Sequence, residues 1–221
     1  MPKSIAIDGP AGAGKSTIAK KVSANLGFIY LDTGAMYRAV ALKVLNEGFD
    51  TKSQNDLEKI IANIDITISH ENNTQKIFLN GVDVSESIRT PEVSTGASNV
   101  AVFKEVRLKL VELQRKIARD KSVVMDGRDI GSYVLPNADL KIFLTASVDE
   151  RARRRYMELF QKGQNIDFEE VKADMIIRDN NDSSRAFAPL VKAADAIEVD
   201  STSMTIDEVV ERIMYFYNEA R

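Results

Sequence analysis

Eight residues near the start constrain this chain more than any others. Gly9-Pro10-Ala11-Gly12-Ala13-Gly14-Lys15-Ser16 satisfies G-x-x-x-x-G-K-[ST], directly after the short apolar run Ser4–Asp8. Beyond it, Ile18, Val22 and Leu26 recur at helical spacing. A glycine-rich turn between a buried strand and a helix lets backbone N–H groups converge on a phosphate, and the helix N-terminus adds partial positive charge. In this pattern Gly9 to Thr17 cradle a nucleotide, Lys15 reaches its β- and γ-phosphates, and the Ser16 hydroxyl serves Mg2+.

The rest of the chain supplies the expected frame. Phe28–Leu31 reads as a second buried strand, and Thr33 as the cap of a helix reaching about Glu47. Ser122–Met125, Leu140–Leu144 and Ala196–Val199 read as further core strands. Phe103, Val106, Leu110, Leu113 and Ile117 mark one helix, and Ile206, Val209, Val210, Ile213 and Phe216 a closing one. Two charged helices are predicted at about 148–162 and 167–182. Such alternation predicts an α/β domain with a central, mainly parallel sheet flanked by helices. After Leu57 the rhythm changes. Ile64–Ile68 alternates with period two, Asn72-Asn73 signals a turn, Lys76–Leu79 follows, and Asn80-Gly81 is a hairpin signal. Residues of about 62–86 are therefore expected to form an inserted antiparallel meander, with His70 in a solvated loop of it.

Composition narrows the chemistry. Among 221 residues there is no cysteine and one histidine, His70. A thiol nucleophile, a disulfide and a thiolate zinc site are excluded, and any Ser-His-Asp triad would have to run through His70. The 30 basic and 33 acidic residues leave a net charge of −3, which exerts no global pull toward nucleic acid or an anionic membrane. No run of 18 apolar residues exists, and Met1–Ser4 passes straight into Ile5-Ala6-Ile7 without a leader-like apolar stretch. A cytoplasmic setting is expected.

Arginines point to phosphoryl transfer. Ten of the 14 lie between Arg107 and Arg185. Arg151, Arg154 and Arg155 share a helix face, where their charges repel unless something anionic lies among them. The bland reading is a solvated basic face; beside a phosphate loop, the arginines read as a lid closing over the transferred group. Arg178, Asp182 and Arg185 also share a face, as a pocket wall or a surface ion-pair network. Asp126 follows Val123-Val124-Met125 and precedes Gly127-Arg128-Asp129, where a carboxylate serves Mg2+ directly or through water. A GTPase switch lacks support, because no Asn is followed by Lys and no Asp has Gly three residues later. A dehydrogenase lacks it too, since the glycines stand at 9, 12 and 14 rather than in G-x-G-x-x-G.

With these residues assembled, the chain resembles the bacterial cytidylate (CMP) kinases of the nucleoside monophosphate kinase family over nearly its whole length. The motifs are Ile7-Asp8-Gly9-Pro10 leading into the loop, Asp32-Thr33-Gly34-Ala35-Met36-Tyr37-Arg38, Asp126-Gly127-Arg128-Asp129-Ile130-Gly131, and the stretch from Arg178 to Leu190. The resemblance implies a P-loop NTPase core over 1–35 and 101–221, with a helical lid at about 148–182. It makes 36–100 a monophosphate-binding region carrying the meander. It implies that Arg38 and Arg128 hold the acceptor phosphate, with Thr33 and Tyr37 beside them. Ser98, Arg107 and Asp129 then lie near the cytosine edge, and Arg178, Asp182 and Arg185 around the sugar and phosphates. Lys15, Arg128 and the lid residues Arg151, Arg154 and Arg155 become the catalytic set. ATP with Mg2+ is the implied donor and CMP or dCMP the acceptor, in a monomer without nucleic-acid or membrane partners. Two other readings stay open: a kinase for UMP or another small acceptor, and a nucleotide-binding switch without transfer activity.

Overall fold

The computed structural model describes residues 1–71, 74–161, 163–164 and 166–219. Five strands form a parallel sheet: β1 (Ser4–Asp8), β2 (Ile29–Asp32), β6 (Val123–Gly127), β7 (Leu140–Thr145) and β8 (Ile197–Asp200). Their spatial order is β2-β6-β1-β7-β8. Both faces are covered, as parallel sheets require. On one face Ile5 and Ile7 pack with Ile142, with Ile18 and Val22 of α1 (Lys15–Leu26), and with Val209 and Ile213 of α8 (Ile206–Glu219). On the other, Ala6 joins Leu31, Met125, Ile130 and Val111 of α5 (Lys104–Asp120). This alternation along β1 explains why its run is apolar throughout.

A second apolar cluster lies beyond the β2 edge. It gathers Met36 and Val44 of α2 (Thr33–Asn46), Leu57 and Ile60 of α3 (Gln54–Ile61), and Val93 and Val100 of α4 (Pro91–Val100). An antiparallel sheet of β3 (Ile66–Glu71), β4 (Thr74–Leu79) and β5 (Val82–Asp83) adds Ile66, Ile77 and Leu79. Asn80 and Gly81 both have positive φ, 50° and 81°, as a two-residue hairpin turn demands. The expected Asn72-Asn73 turn and the predicted helix end at Lys162 lie outside the described residues.

Three local expectations change. Thr33 is the first residue of α2 and not its cap; Asp32 caps the helix, its carboxylate accepting from Ala35 N. A carboxylate is the stronger acceptor and also offsets the helix dipole. His70 is a half-buried strand residue, opposite Gln75 in the β3–β4 ladder, and not a solvated loop residue. Helices α3 and α4 were not legible in the sequence. The α4 run Pro-Glu-Val-Ser-Thr-Gly-Ala-Ser-Asn-Val is a poor helix former. Its Thr90 cap, Pro91 at the first turn, and packing on α2 hold it. At Gly96 a Cβ would come 3.1 Å from Ala41 Cβ, so the close approach of α4 to α2 uses the missing side chain.

Helices α6 (Val148–Gln161) and α7 (Phe168–Ser184) pack on each other, joined by the Tyr156–Phe168 ring contact. Among the described residues no helix is long and apolar enough to cross a membrane. Gly9 marks the tightest point of the core: its φ is 147°, and a Cβ there would lie 1.9 Å from the Leu144 carbonyl oxygen. Gly9→Ala is therefore expected to cost about 3 kcal/mol or more, read as a lower urea midpoint with unchanged slope.

Candidate active site

The carboxyl ends of β2, β6 and β1 open into a cleft of about 1350 Å³. The glycine-rich loop forms its floor, α2 and α4 one wall, and α6 with α7 the other. Crevices outside the carboxyl ends of parallel strands are the usual ligand position in such sheets.

The loop comes first. Gly14 takes the left-handed conformation (φ 87°) and starts α1, so Lys15 and Ser16 sit in its first turn. Lys15 is buried, with Nζ donating to Pro10 O at 2.6 Å. Burial, and then the Arg128 charge, pull its ammonium down to about 7. Ser16 Oγ donates to Asp126 Oδ2 at 2.7 Å, and the Tyr30 hydroxyl donates to Oδ1 at 2.9 Å. Asp126 lies opposite Asp32 in the β2–β6 register. Burial, and then that neighbouring charge, push its carboxyl up to about 6. Thr33 Oγ1 donates to the Asp126 backbone carbonyl at 2.7 Å, so this hydroxyl braces the strand end.

Arg151 is placed differently from expectation. It is buried and absent from the cleft lining, whereas Arg153, Arg154 and Arg155 line it. Its Nε donates to Ala146 O, and its Nη1 to Ala11 O and Asp179 Oδ2, at 2.9, 2.9 and 2.6 Å. Asp179 Oδ1 in turn accepts from Ala11 N at 3.1 Å. An Arg–Asp pair thus grips both backbone groups of one loop residue from α6 and α7. The anions expected among the helix arginines are the protein's own Asp179, Glu150 and Glu158: Asp179 takes Arg151, Glu150 takes Arg153 and Arg154 at 2.8 Å, and Glu158 takes Arg155. Arg154 also donates to Ser201 O at 2.6 Å, beside Met204, Thr205 and Ile206 at the far end of the cleft. That end carries no motif, and an exposed Ile206 at a helix start is its only signal.

The opposite end brings the remaining predicted residues together. Arg38 Nη2 meets Asp32 Oδ2 at 2.7 Å, and Arg128 Nε meets Asp182 Oδ2 at 2.6 Å. Burial works against the Asp182 charge, yet Arg128 alongside holds its carboxyl below the ordinary value. Burial, and then the Arg128 charge, lower Arg178; burial, and then Arg107, lower Arg185. Arg107, on α5, is 1% exposed, and its guanidinium lies 5.4 Å from the Tyr37 ring centre. Its Nη2 stands 2.5 Å from Asp129 Oδ2 as an ion pair without hydrogen-bond alignment. Arg185 Nη2 stands 3.4 Å from Asp129 Oδ1, and among the described residues Arg107 Nε, Arg107 Nη2, Asp129 Oδ2 and Arg185 Nη2 are buried without an aligned hydrogen bond. Ser98 of α4 lines the same end. Asp8, unnoticed in the sequence beyond its place in a motif, accepts from Ile130 N and Gly131 N at 2.8 and 2.7 Å and so orders the turn after Asp129. Burial pushes its carboxyl up to about 6.

The cytidylate kinase family model matches residues 5–219. The chain belongs to the cytidylate kinase family. A cytidylate kinase of Caldicellulosiruptor bescii is 52% identical over 213 residues, 96% of this chain and 94% of that one. The cytidylate kinase of Alkaliphilus oremlandii is 55% identical over 210 residues, 95% of each chain. A solved structure of an uncharacterised protein from Eubacterium ventriosum has a TM-score of 0.55 at 17% identity, covering 99% of both chains, and it shows the shared fold alone. For this member of the cytidylate kinase family, the fold is that of P-loop kinases, with a central parallel sheet and a separate small antiparallel sheet.

The buried carboxyls give a stability test. Asp8 and Asp126 titrate near 6 when folded, against an ordinary 3.8. The native state therefore binds more protons between those values, and these two groups lower stability as pH rises from about 4 to 6. Asp126→Asn removes one such cost. The hydroxyls of Ser16 and Tyr30 can turn to serve the new amide. Urea unfolding in EDTA is expected to show the variant more stable than the parent at pH 8, with the difference shrinking toward pH 4.

Proposed function

We propose that this enzyme transfers the γ-phosphoryl group of ATP to CMP, with dCMP as a second acceptor, giving the diphosphate and ADP. One observation carries the choice of base: a buried carboxylate, Asp129, stands between two buried guanidiniums, Arg107 and Arg185, at one end of the cleft. Cytosine presents an amino donor beside ring-nitrogen and carbonyl acceptors. A carboxylate oxygen and guanidinium N–H groups are their complement, and Ser98 adds a hydroxyl of either role. Uracil replaces the amino group with a carbonyl and leaves Asp129 facing another acceptor, a costly mismatch in a buried site. The names borne by the relatives, all cytidylate kinases, support the same acceptor.

The chemistry needs no general base, because the acceptor phosphate oxygen is already anionic; alignment and charge neutralisation supply the catalysis. Arg38 and Arg128 are each tied to one carboxylate, Asp32 and Asp182. A guanidinium has five N–H donors, so both remain able to grip the acceptor phosphate while held in place. Lys15, whose ammonium is drawn down by burial, regains its full charge against the donor's phosphates. Arg154 and Arg155, with Arg153 beside them, face the cleft from the lid, and Arg151 holds the loop beneath. Met204 and Ile206 offer the donor base an apolar wall. Asp126 carries a buried negative charge that burial and Asp32 disfavour, so Ser16 and Asp126 fit a cation. They would hold Mg2+, which, when bound, neutralises charge on the donor phosphates. Among the described residues no larger acidic or imidazole cluster exists, as suits an ion that keeps waters and phosphate ligands.

The reading extends to a cytoplasmic monomer with nucleotides as its partners. Initial rates with Mg-ATP test the function. CMP is expected to exceed UMP and AMP by at least about 100-fold in kcat/KM, and equal rates would reject the assignment. Lys15→Met is expected to lower kcat by roughly 1000-fold or more, with the fold intact by circular dichroism.

A further inference from the structure

Strand β2 is the edge of the parallel sheet, bonded to β6 on one side only. Its odd residues serve β6: Ile29 N, for instance, donates to Ser122 O. Its even residues, Tyr30 and Asp32, present their N–H and C=O groups outward, where an open edge is a liability. Among the described residues no strand fills that place. Two side chains of the meander do. His70 Nε2 lies 2.8 Å from Tyr30 O and donates to it, since a carbonyl can only accept. Gln75 takes both backbone groups of Asp32: its Oε1 accepts from Asp32 N at 2.8 Å and its Nε2 donates to Asp32 O at 3.3 Å. His70 and Gln75 face each other across the β3–β4 ladder, so the two grips are delivered side by side. A primary amide has the same donor and acceptor as a peptide group, and Gln75 stands in for one residue of the missing strand.

The gripped residue is the one that aims Arg38. Asp32 Oδ1 caps α2 through Ala35 N at 2.9 Å, and Oδ2 holds Arg38 Nη2 at 2.7 Å. The guanidinium uses the room that Gly34 leaves, for a Cβ there would lie 3.1 Å from Arg38 Nη1. A shift of the Asp32 backbone therefore moves both the start of α2 and the arginine on it.

We infer that Gln75 is a positioning residue for the acceptor phosphate, acting through Asp32 on Arg38, and that this coupling is what the meander contributes to the site. The inference rests on the proposed role of Arg38. It assigns the inserted sheet a part in acceptor affinity while leaving the donor end alone.

The test is a Gln75→Met variant, close in size and unable to make either bond. CMP turnover by the unaltered enzyme is read first; its absence would overturn the functional reading and this inference with it. Given turnover, Gln75→Met is expected to raise KM and the calorimetric Kd for CMP about 3- to 10-fold, with kcat and the KM for ATP within twofold. Lys76→Met, on the same strand and paired with Asp83 at 3.4 Å, is expected to change neither. In an Arg38→Ala background, Gln75→Met is expected to weaken CMP binding no further. Unchanged CMP binding in Gln75→Met, an equal rise in both KM values, or the same penalty without Arg38 would each overturn the inference and leave the functional reading standing.

Discussion

Three carboxylates lie at the carboxyl ends of three neighbouring parallel strands, and the site is organised around placing their charges. Asp32 and Asp8 close β2 and β1, and Asp126 stands one residue before the end of β6, with Asp32 directly opposite Asp126 and Asp8 opposite Gly127. Like charges at the buried rim of one sheet would repel unless each found a task. Asp8 takes two backbone amides of the turn after Asp129. Asp32 caps a helix and holds Arg38. Asp126 accepts from the hydroxyls of Ser16 and Tyr30, with the Lys15 charge nearby.

Cations answer that rim from the other elements. Lys15 enters from the loop, Arg38 from α2, Arg128 from the residue after β6, and α6 brings Arg154 and Arg155. Nearly every guanidinium rests on a carboxylate, so positive charge is concentrated without mutual repulsion dispersing it. Oriented groups of this kind need little rearrangement when a phosphate arrives, which is how charge is best used in transfer chemistry. The net charge of −3 hides this. It is an average over a surface that does not take part.

Much was legible in the sequence because some local signals admit one geometry. The glycine-rich loop, the apolar runs of the core strands and the Asn80-Gly81 turn all fold as expected, since backbone conformation and side-chain period decide them within a few residues. Family resemblance supplied Ser98 and Arg107, which spacing alone would have passed over. What was missed depends on contacts between distant residues. Helix α4 has weak intrinsic propensity and exists through packing on α2. Arg151 shares a helix face with Arg154, yet Ala11 and Asp179 draw it beneath the loop. His70 looked solvated in a hairpin and instead closes the edge of a strand 40 positions earlier.

By itself, then, the sequence determined the phosphate loop, the α/β alternation and the absence of thiol or paired-imidazole chemistry, because these follow from local conformation and from which atoms the chain contains. Only the tertiary structure decided the tasks of individual charges: that Asp32 caps and aims, that Arg151 braces the loop, that Asp129 meets Arg107 and Arg185 at the buried cleft end, and that Gln75 reaches back to Asp32. A charged or amide side chain takes its role from the partner it meets in three dimensions. For Arg151 with Asp179, Gln75 with Asp32 and Asp179 with Ala11, separated by 28, 43 and 168 residues, spacing along the chain carries no record of the partner.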